Sequence, residues 1–160
     1  MAITYRTAKI EDIEIITDLA VLLYDSLPPS EFPNDEYNPY PRDELLTSNS
    51  KDLRNPEMAF FLAFDNEKAI GFSHVAVKHE YVVGTNNSPV GYLEGIYVCP
   101  EYRRQGIAQS LVSMCEDWSR ENECVEFASD CELKNKDSFA FHLKIGFEET
   151  ERLIFFSKKL

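Results

Sequence analysis

Apolar and polar positions along this chain recur with two periods, and the switches between them mark out most of the elements. Residues 3–9 (ITYRTAK) alternate as a strand does. From Glu11 to Leu23 the apolar residues Ile13, Ile16, Ala20 and Leu23 recur at helical spacing, with Ile15 and Leu19 beside them. Acids in the first turn of that stretch suit a helix dipole. MAFFLAFD (58–65) and KAIGFSHVAVKHEY (68–81) read as two strands joined by a turn at Asn66–Glu67. GYLEGIYV (91–98) is a run of β-formers bounded by Gly91 and Pro100. GIAQSLVSMCEDWSREN (106–122) sets Ile107, Leu111, Met114, Cys115 and Trp118 on one helical face. CVEFASD (124–130) reads as a strand and SFAFHLKIG (138–146) as a helix stopped by Gly146. FEETERLIFFSKK (147–159) reads as one or two further strands.

Residues 25–44 break both periods. They hold Pro28, Pro29, Pro33, Pro39 and Pro41, and the acids Asp25, Glu31, Asp35, Glu36, Asp43 and Glu44 against one base, Arg42. Proline bars a regular helix or a central strand, so this is an acidic loop, either a binding loop or a floppy insertion. A short helix follows near 42–53. The sum predicts an α/β (α+β) fold: a mixed, mostly antiparallel twisted sheet of six to seven strands with helices on both faces. No repeat or linker divides the chain, and 160 residues suit a single domain spanning 1–160.

Composition narrows the partners. A formal charge of -12 and a pI near 4.6 repel phosphate backbones and anionic headgroups and attract cations. Nucleic acid and membrane surfaces are therefore poor partners, and no apolar run approaches a membrane span. The start of the sequence, MAITYRTAK, has no apolar signal segment. Cys99, Cys115, Cys124 and Cys131 include no CxxC, and no histidine pair has zinc-ligand spacing, so reduced thiols, a cytoplasmic setting and no metal are expected.

One junction stands apart in so acidic a chain. Arg103-Arg104-Gln105-Gly106-Ile107-Ala108 connects the strand ending IYV to an amphipathic helix. Free N–H groups at a helix start, a glycine turn and two arginines suit a pyrophosphate. An exposed Arg-Arg before a helix also occurs without a ligand. GxxxxGK[ST] and GxGxxG are both absent, which excludes the Walker loop and the dinucleotide fingerprint. Glu94, a carboxylate at the start of an apolar strand, is either a solvated edge residue or a site acid.

Arg103-x-x-Gly106-x-Ala108 after IYV and a proline resembles the acetyl-CoA loop of the GNAT N-acetyltransferase superfamily. NKDSFAFHLKIGFEE is similar to that superfamily's coenzyme-contacting helix and the GF strand after it. GFSHVAVKHEYVVG, SPVGYLEGIYV, EFASD and GFEETERLIFF together resemble the aminoglycoside 6′-N-acetyltransferase branch.

The resemblance implies that the strand 93–98 splays from its neighbour. Backbone amides near Ile96 and Val98, flanking Tyr97, would then meet the thioester and pantetheine arm of acetyl-CoA, where one N–H would stabilise an oxyanion. Arg103, Arg104, Gln105, Gly106, Ile107, Ala108 and Gln109 would hold the pyrophosphate, and Asn135 would sit on the coenzyme side or cap a helix. Glu94 would accept a proton from the amine or bind the ammonium. Asp130, Glu151, Tyr81 and Tyr24 would face the substrate. His142 stands where many superfamily members have a tyrosine general acid, which leaves proton donation to the thiolate with histidine or water. The implied function is direct acetyl transfer from acetyl-CoA to a cationic small-molecule amine, the 6′-amine of an aminoglycoside antibiotic, with resistance as the outcome. A polyamine, small amine or protein N-terminus as acceptor, and a catalytically silent CoA-binding regulatory module, are the alternatives. The resemblance also implies a homodimer, for which the C-terminal strand offers an edge.

Overall fold

The structure is a computed structural model that describes residues 2–31 and 41–160. In chain order it contains β1 (Ile3–Thr7), α1 (Ile13–Ser26), α2 (Arg42–Leu53), β2 (Met58–Asp65), β3 (Lys68–Lys78), β4 (Val90–Val98), α3 (Ile107–Glu121), β5 (Phe127–Ser129) and α4 (Lys136–Lys144). Short 3-10 turns at Ile10–Asp12 and Pro100–Tyr102 lead out of β1 and β4. The sheet runs β1-β2-β3-β4-β5, with the first three pairings antiparallel and β4–β5 parallel.

The hydrophobic periods place these elements well, and proline brackets the acidic stretch as expected. α1 ends at Ser26, just before Pro28, and Pro41 stands at the N-terminal cap of α2. Pro33, Pro39, Asp35 and Glu36 lie outside the described residues. The guanidinium of Arg42 ties the start of α2 to α1, bonding Glu14 at 2.5 Å and Asp18 at 2.8 Å. α4 begins two residues earlier than its apolar run suggests, because the side chain of Asn135 accepts from the N–H of Ser138 and caps it.

Two expectations are corrected. The described residues form five strands, not six to seven, so the sheet is smaller than the β-propensity of the C-terminus implied. Residues 147–160 hold no regular strand, and Ile154, Phe155 and Phe156 are almost fully exposed. A strand exists only when paired, and this segment pairs with neither edge strand, β1 or β5. CVEFASD, likewise, pairs only across Phe127–Ser129.

The sheet separates two apolar layers. On one face Ala59, Phe61, Ile70, Val75, Leu93 and Val98 pack against Ile107, Leu111, Val112 and Cys115 of α3. On the other, Phe60, Leu62, Phe72 and Tyr97 pack against Ile16, Leu19 and Ala20 of α1 and Leu45 of α2. Alternation along β3 puts Phe72, His74, Ala76 and Lys78 on the α1/α2 face.

One buried polar hub anchors the first connection. Asp12 accepts two bonds from Arg6, at 2.7 and 2.8 Å, and one from the N–H of Lys9 at 2.7 Å. The Arg6 guanidinium, more than any other neighbour, holds the Asp12 carboxyl below its ordinary range. Such a group contributes stability above its unfolded pKa and loses that contribution as pH falls through its lowered folded value. Asp12→Ala is expected to cost about 1–3 kcal/mol at neutral pH. In urea titrations the gap from wild type should close as the solution is acidified below the ordinary carboxylate range.

Candidate active site

The site begins with a fault in the sheet. His74 pairs with Gly95 but Val75 pairs with Leu93, so Glu94 is an extra residue on β4, a bulge. β5 pairs with β4 only at Gly91, Tyr92 and Leu93 and then ends. From Glu94 to Val98 the far side of β4 therefore has no strand partner among the described residues. The N–H of Cys99 donates to Ile70 on β3, at 2.8 Å. Alternation then turns the N–H groups of Ile96 and Val98 away from β3, toward the space that β5 leaves open. Tyr97, between them, buries its ring in the α1/α2 face. Glu94 is exposed as a residue although its side chain is only 28% exposed, because its backbone lines the same opening.

At the end of that opening the chain turns into α3. Arg104 and Gly106 both have left-handed backbone, φ 62° and 81°, on either side of Gln105. This alternation curls successive amides into a concave nest. The first N–H groups of α3, at Ile107, Ala108 and Gln109, have no partner within the helix, and its first turn contains no acid. Arg104, Gln105, Gly106 and Gln109 are exposed, whereas the side chain of Ile107 belongs to the core, leaving only its backbone for a ligand. Arg103 instead serves the turn itself: its Nε donates to the carbonyl of Val98 at 2.9 Å and its guanidinium lies 5.6 Å over the Tyr97 ring. A Cβ on Gly106 would meet no atom within 4 Å, so glycine is required there by its positive φ and not by crowding.

Beside the bulge, on the α1/α2 face, lies a polar cluster of which the sequence picked out only Glu94 and Asp130. Lys78 Nζ is 2.5 Å from Glu94 Oε1 and 5.3 Å above the ring of Tyr92. The Tyr92 hydroxyl donates to Asp130 Oδ1. Burial, reinforced by Asp130, pushes the Tyr92 hydroxyl well above its ordinary pKa, so it stays protonated and remains a donor. Asp52, from α2, closes the cluster. Burial and then the charge of Glu94 raise its pKa. His74 Nε2 lies 3.9 Å from Asp52 Oδ2 and makes no hydrogen bond, and its ring stacks on Phe60 at 3.9 Å between centroids. Burial, helped by Lys78, lowers His74 to about 4, so it is neutral at pH 7. Asp52, His74, Lys78 and Tyr92 meet Glu94 only through strand register and helix packing, which a linear reading lacks.

The remaining sequence-chosen residues are scattered. Tyr24 is partly buried on α1 against the α1/α2-face core. Tyr81 lies beyond the end of β3 and is 78% exposed. Glu151 sits in the exposed segment after α4, and no hydrogen bond or ion pair joins it to Glu94 or Asp130. Asn135 caps α4, as one of its two expected roles required. His142 is held at both nitrogens: Nδ1 is 2.7 Å from the carbonyl of Ser138 and Nε2 is 2.8 Å from the hydroxyl of Ser129. The Ser138 hydroxyl lies 3.3 Å from Nδ1 as well, and the Ser129 hydroxyl donates to the carbonyl of Leu93 at 3.3 Å. Both ring nitrogens of His142 are therefore occupied within the protein. Among the described residues no group of three His, Cys, Asp or Glu side chains is arranged to hold a metal, and no helix is long and apolar enough to cross a membrane.

A strand with outward amides, ending in an arginine-rich nest at a helix N-terminus, is the donor set that coenzyme A needs along its pantetheine arm and diphosphate. The acetyltransferase (GNAT) family model matches residues 21–147, and the chain belongs to that family. Within it, the chain is similar to aminoglycoside N(6')-acetyltransferase type 1 proteins. It shares 49% identity over 109 residues with one from Acinetobacter genomosp. 13, covering 68% of this chain and 75% of the relative. It shares 39% over 120 residues with one from Salmonella typhimurium, covering 75% and 83%. The fold matches AAC(6')-Iy in complex with the bisubstrate analog CoA-S-monomethyl-acetylneamine, with TM-score 0.84, 32% identity and full coverage of both chains. It also matches the aminoglycoside antibiotic 6'-N-acetyltransferase AAC(6')-Ih from Acinetobacter baumannii, with TM-score 0.83, 35% identity and 99% coverage of each.

Gly106→Ala tests the nest. Forcing an alanine into left-handed backbone costs about 1–2 kcal/mol. A drop in melting temperature of a few degrees is expected, together with a several-fold rise in KM for acetyl-CoA and a much smaller change in KM for the amine.

Proposed function

We propose that this chain transfers an acetyl group directly from acetyl-CoA to the 6′-amine of aminoglycosides, and that this transfer confers resistance. The observation that carries the reading is the bulge at Glu94. It sets a carboxylate and two outward amides at one point, where the amine side and the coenzyme side of the sheet meet. The similar aminoglycoside 6′-N-acetyltransferases, one of them in complex with a bisubstrate analog of CoA and acetylneamine, support the same reaction.

Acetyl-CoA supplies the acetyl group, activated as a thioester. The amides of Ile96 and Val98 hold the arm, and those of Gln105 to Gln109, with the charge of Arg104, hold the diphosphate. Arg103 positions the turn by its bond to Val98, and Asn135 keeps α4 in register beside the slot. An aminoglycoside arrives as a polycation. Glu94 and Asp130 bind ammonium groups, and Tyr24, Tyr81 and Glu151 offer further contacts to the sugar rings. Glu94 takes the proton from the reacting ammonium, directly or through water, which frees the nitrogen lone pair. Nothing calls for an acyl-enzyme: burial raises the thiol pKa of Cys99, which keeps it protonated and a poor nucleophile. Ser138 and Ser129 already engage both ring nitrogens of His142, which supports proton return to the thiolate from water.

The chain is read as one catalytic domain over 1–160. Four free cysteines support a cytoplasmic setting, and the net charge disfavours nucleic acid. The exposed strip from Leu153 to Phe156 supports a homodimer in which each copy covers the other's C-terminal segment.

Purified protein should release CoA thiol with acetyl-CoA and neamine, and the product should carry its acetyl group on the 6′ nitrogen by NMR. Faster turnover of spermidine than of any aminoglycoside would overturn the substrate assignment. In the same assay Glu94→Gln should lose at least about 100-fold in kcat/KM, the lower end of what a positioned base contributes. Near wild-type kcat/KM across the pH range would remove Glu94 from the role of base.

A further inference from the structure

The ion pair between Lys78 and Glu94 is the unexplained feature of the cleft. A site read as taking ammonium groups already contains one of its own. Lys78 Nζ has a carboxylate at 2.5 Å, an aromatic face at 5.3 Å and a protonated tyrosine whose hydroxyl leads on to Asp130. A carboxylate, a ring face and further carboxylates behind them are what a protonated primary amine seeks. The groups around Lys78 are Glu94 and Tyr92 from β4, His74 from its own strand and Asp52 from α2; Lys51 stands beside Asp52, and Asp130 lies behind the Tyr92 hydroxyl. His74 is neutral at pH 7 and Lys51 acts chiefly on its neighbour Asp52, so Lys78 is the cation paired with Glu94.

We propose that Lys78 is a built-in competitor for the substrate ammonium: its amine occupies the Glu94 subsite in the free protein and must swing out for an aminoglycoside to engage. The inference rests on the reading of this cleft as the acceptor site. Two physical points carry it. The pair is partly solvated, with side chains 27% and 28% exposed, so it adds little to stability and opens at small cost. The stem of Lys78 is long, unbranched and seated at the last residue of β3, where it has room to rotate outward. A device of this kind selects by charge number. A polycation that also reaches Asp130 or Asp52 recovers the cost of displacing Lys78, whereas a monoamine has only Glu94 to offer in exchange. Lys78 is thereby a specificity-determining residue for polyamino acceptors.

Lys78→Met keeps the stem and removes the charge. It is expected to lower KM for neamine about two- to fivefold, the span that a partly solvated ion pair commands, with kcat within about twofold. A change confined to KM marks an effect felt equally by the ground and transition states. The monoamine 6-amino-6-deoxyglucose should gain more in kcat/KM than neamine does, and Lys78→Arg should restore wild-type selectivity. An unchanged or raised KM in Lys78→Met overturns the proposal, since a lysine that merely props Glu94 in place would weaken binding when lost. A second measurement uses the wild-type protein and needs no variant to fold. Reductive methylation of Lys78, scored by peptide mass spectrometry relative to the exposed Lys158 in the same sample because the amines of neamine also consume formaldehyde, should rise when neamine is added, since the displaced amine enters solvent; a lower or unchanged ratio overturns it. Absence of any wild-type turnover of neamine would count against the acceptor assignment itself, whereas turnover with an unmoved KM counts against Lys78 alone.

Discussion

The site depends on β4 losing its partner halfway along. A parallel neighbour continued past Leu93 would consume the N–H groups of Ile96 and Val98 in sheet bonds, and nothing could lie against them. The bulge at Glu94 and the end of β5 at Ser129 prevent this. Unpaired backbone donors in a sheet are costly unless water or a ligand satisfies them. Here they are also rigid, because the other side of β4 is paired with β3 along its length. The result is a fixed row of donors, which an extended ligand can meet without further ordering of the chain.

Electrostatics divide the same region in two. One end gathers Arg104 and the free amides of α3 in a chain whose net charge is -12. The other gathers Asp52, Glu94 and Asp130 near Lys78 and Tyr92. On the proposed reading, an anionic carrier is drawn to the first and a cationic acceptor to the second, and they meet at the bulge. The layering of the fold matches this division. α3 builds its core against one face of the sheet, and α1 and α2 wall the acceptor cluster on the other.

Much of this was legible in the linear sequence, where local rules act alone. The apolar period of Ile107, Leu111 and Cys115 gave α3, and prolines 28 and 41 bounded α1 and α2. Gly106 marked the turn because few other residues accept that backbone. The C-terminal segment misled because β-propensity describes a residue that suits a sheet and carries no information on whether an edge is available. The acceptor cluster was half visible. Glu94 and Asp130 stood out as acids at strand ends, but Lys78 and Tyr92 read as ordinary members of their strands. Their meeting depends on a one-residue shift in register, and such shifts are set by tertiary pairing. His142 stood out only as the residue at the family's tyrosine position, and folding alone brings Ser129 and Ser138 to its two nitrogens.

The proposed reaction requires the donors along β4 and at the start of α3 to receive coenzyme A. Amide hydrogen exchange of the wild-type protein, read residue by residue with and without coenzyme A, tests this most directly. Binding should slow exchange at Ile96, at Val98 and across Gln105 to Gln109, while the β1 edge stays unchanged. Protection elsewhere with these amides unaffected would contradict it.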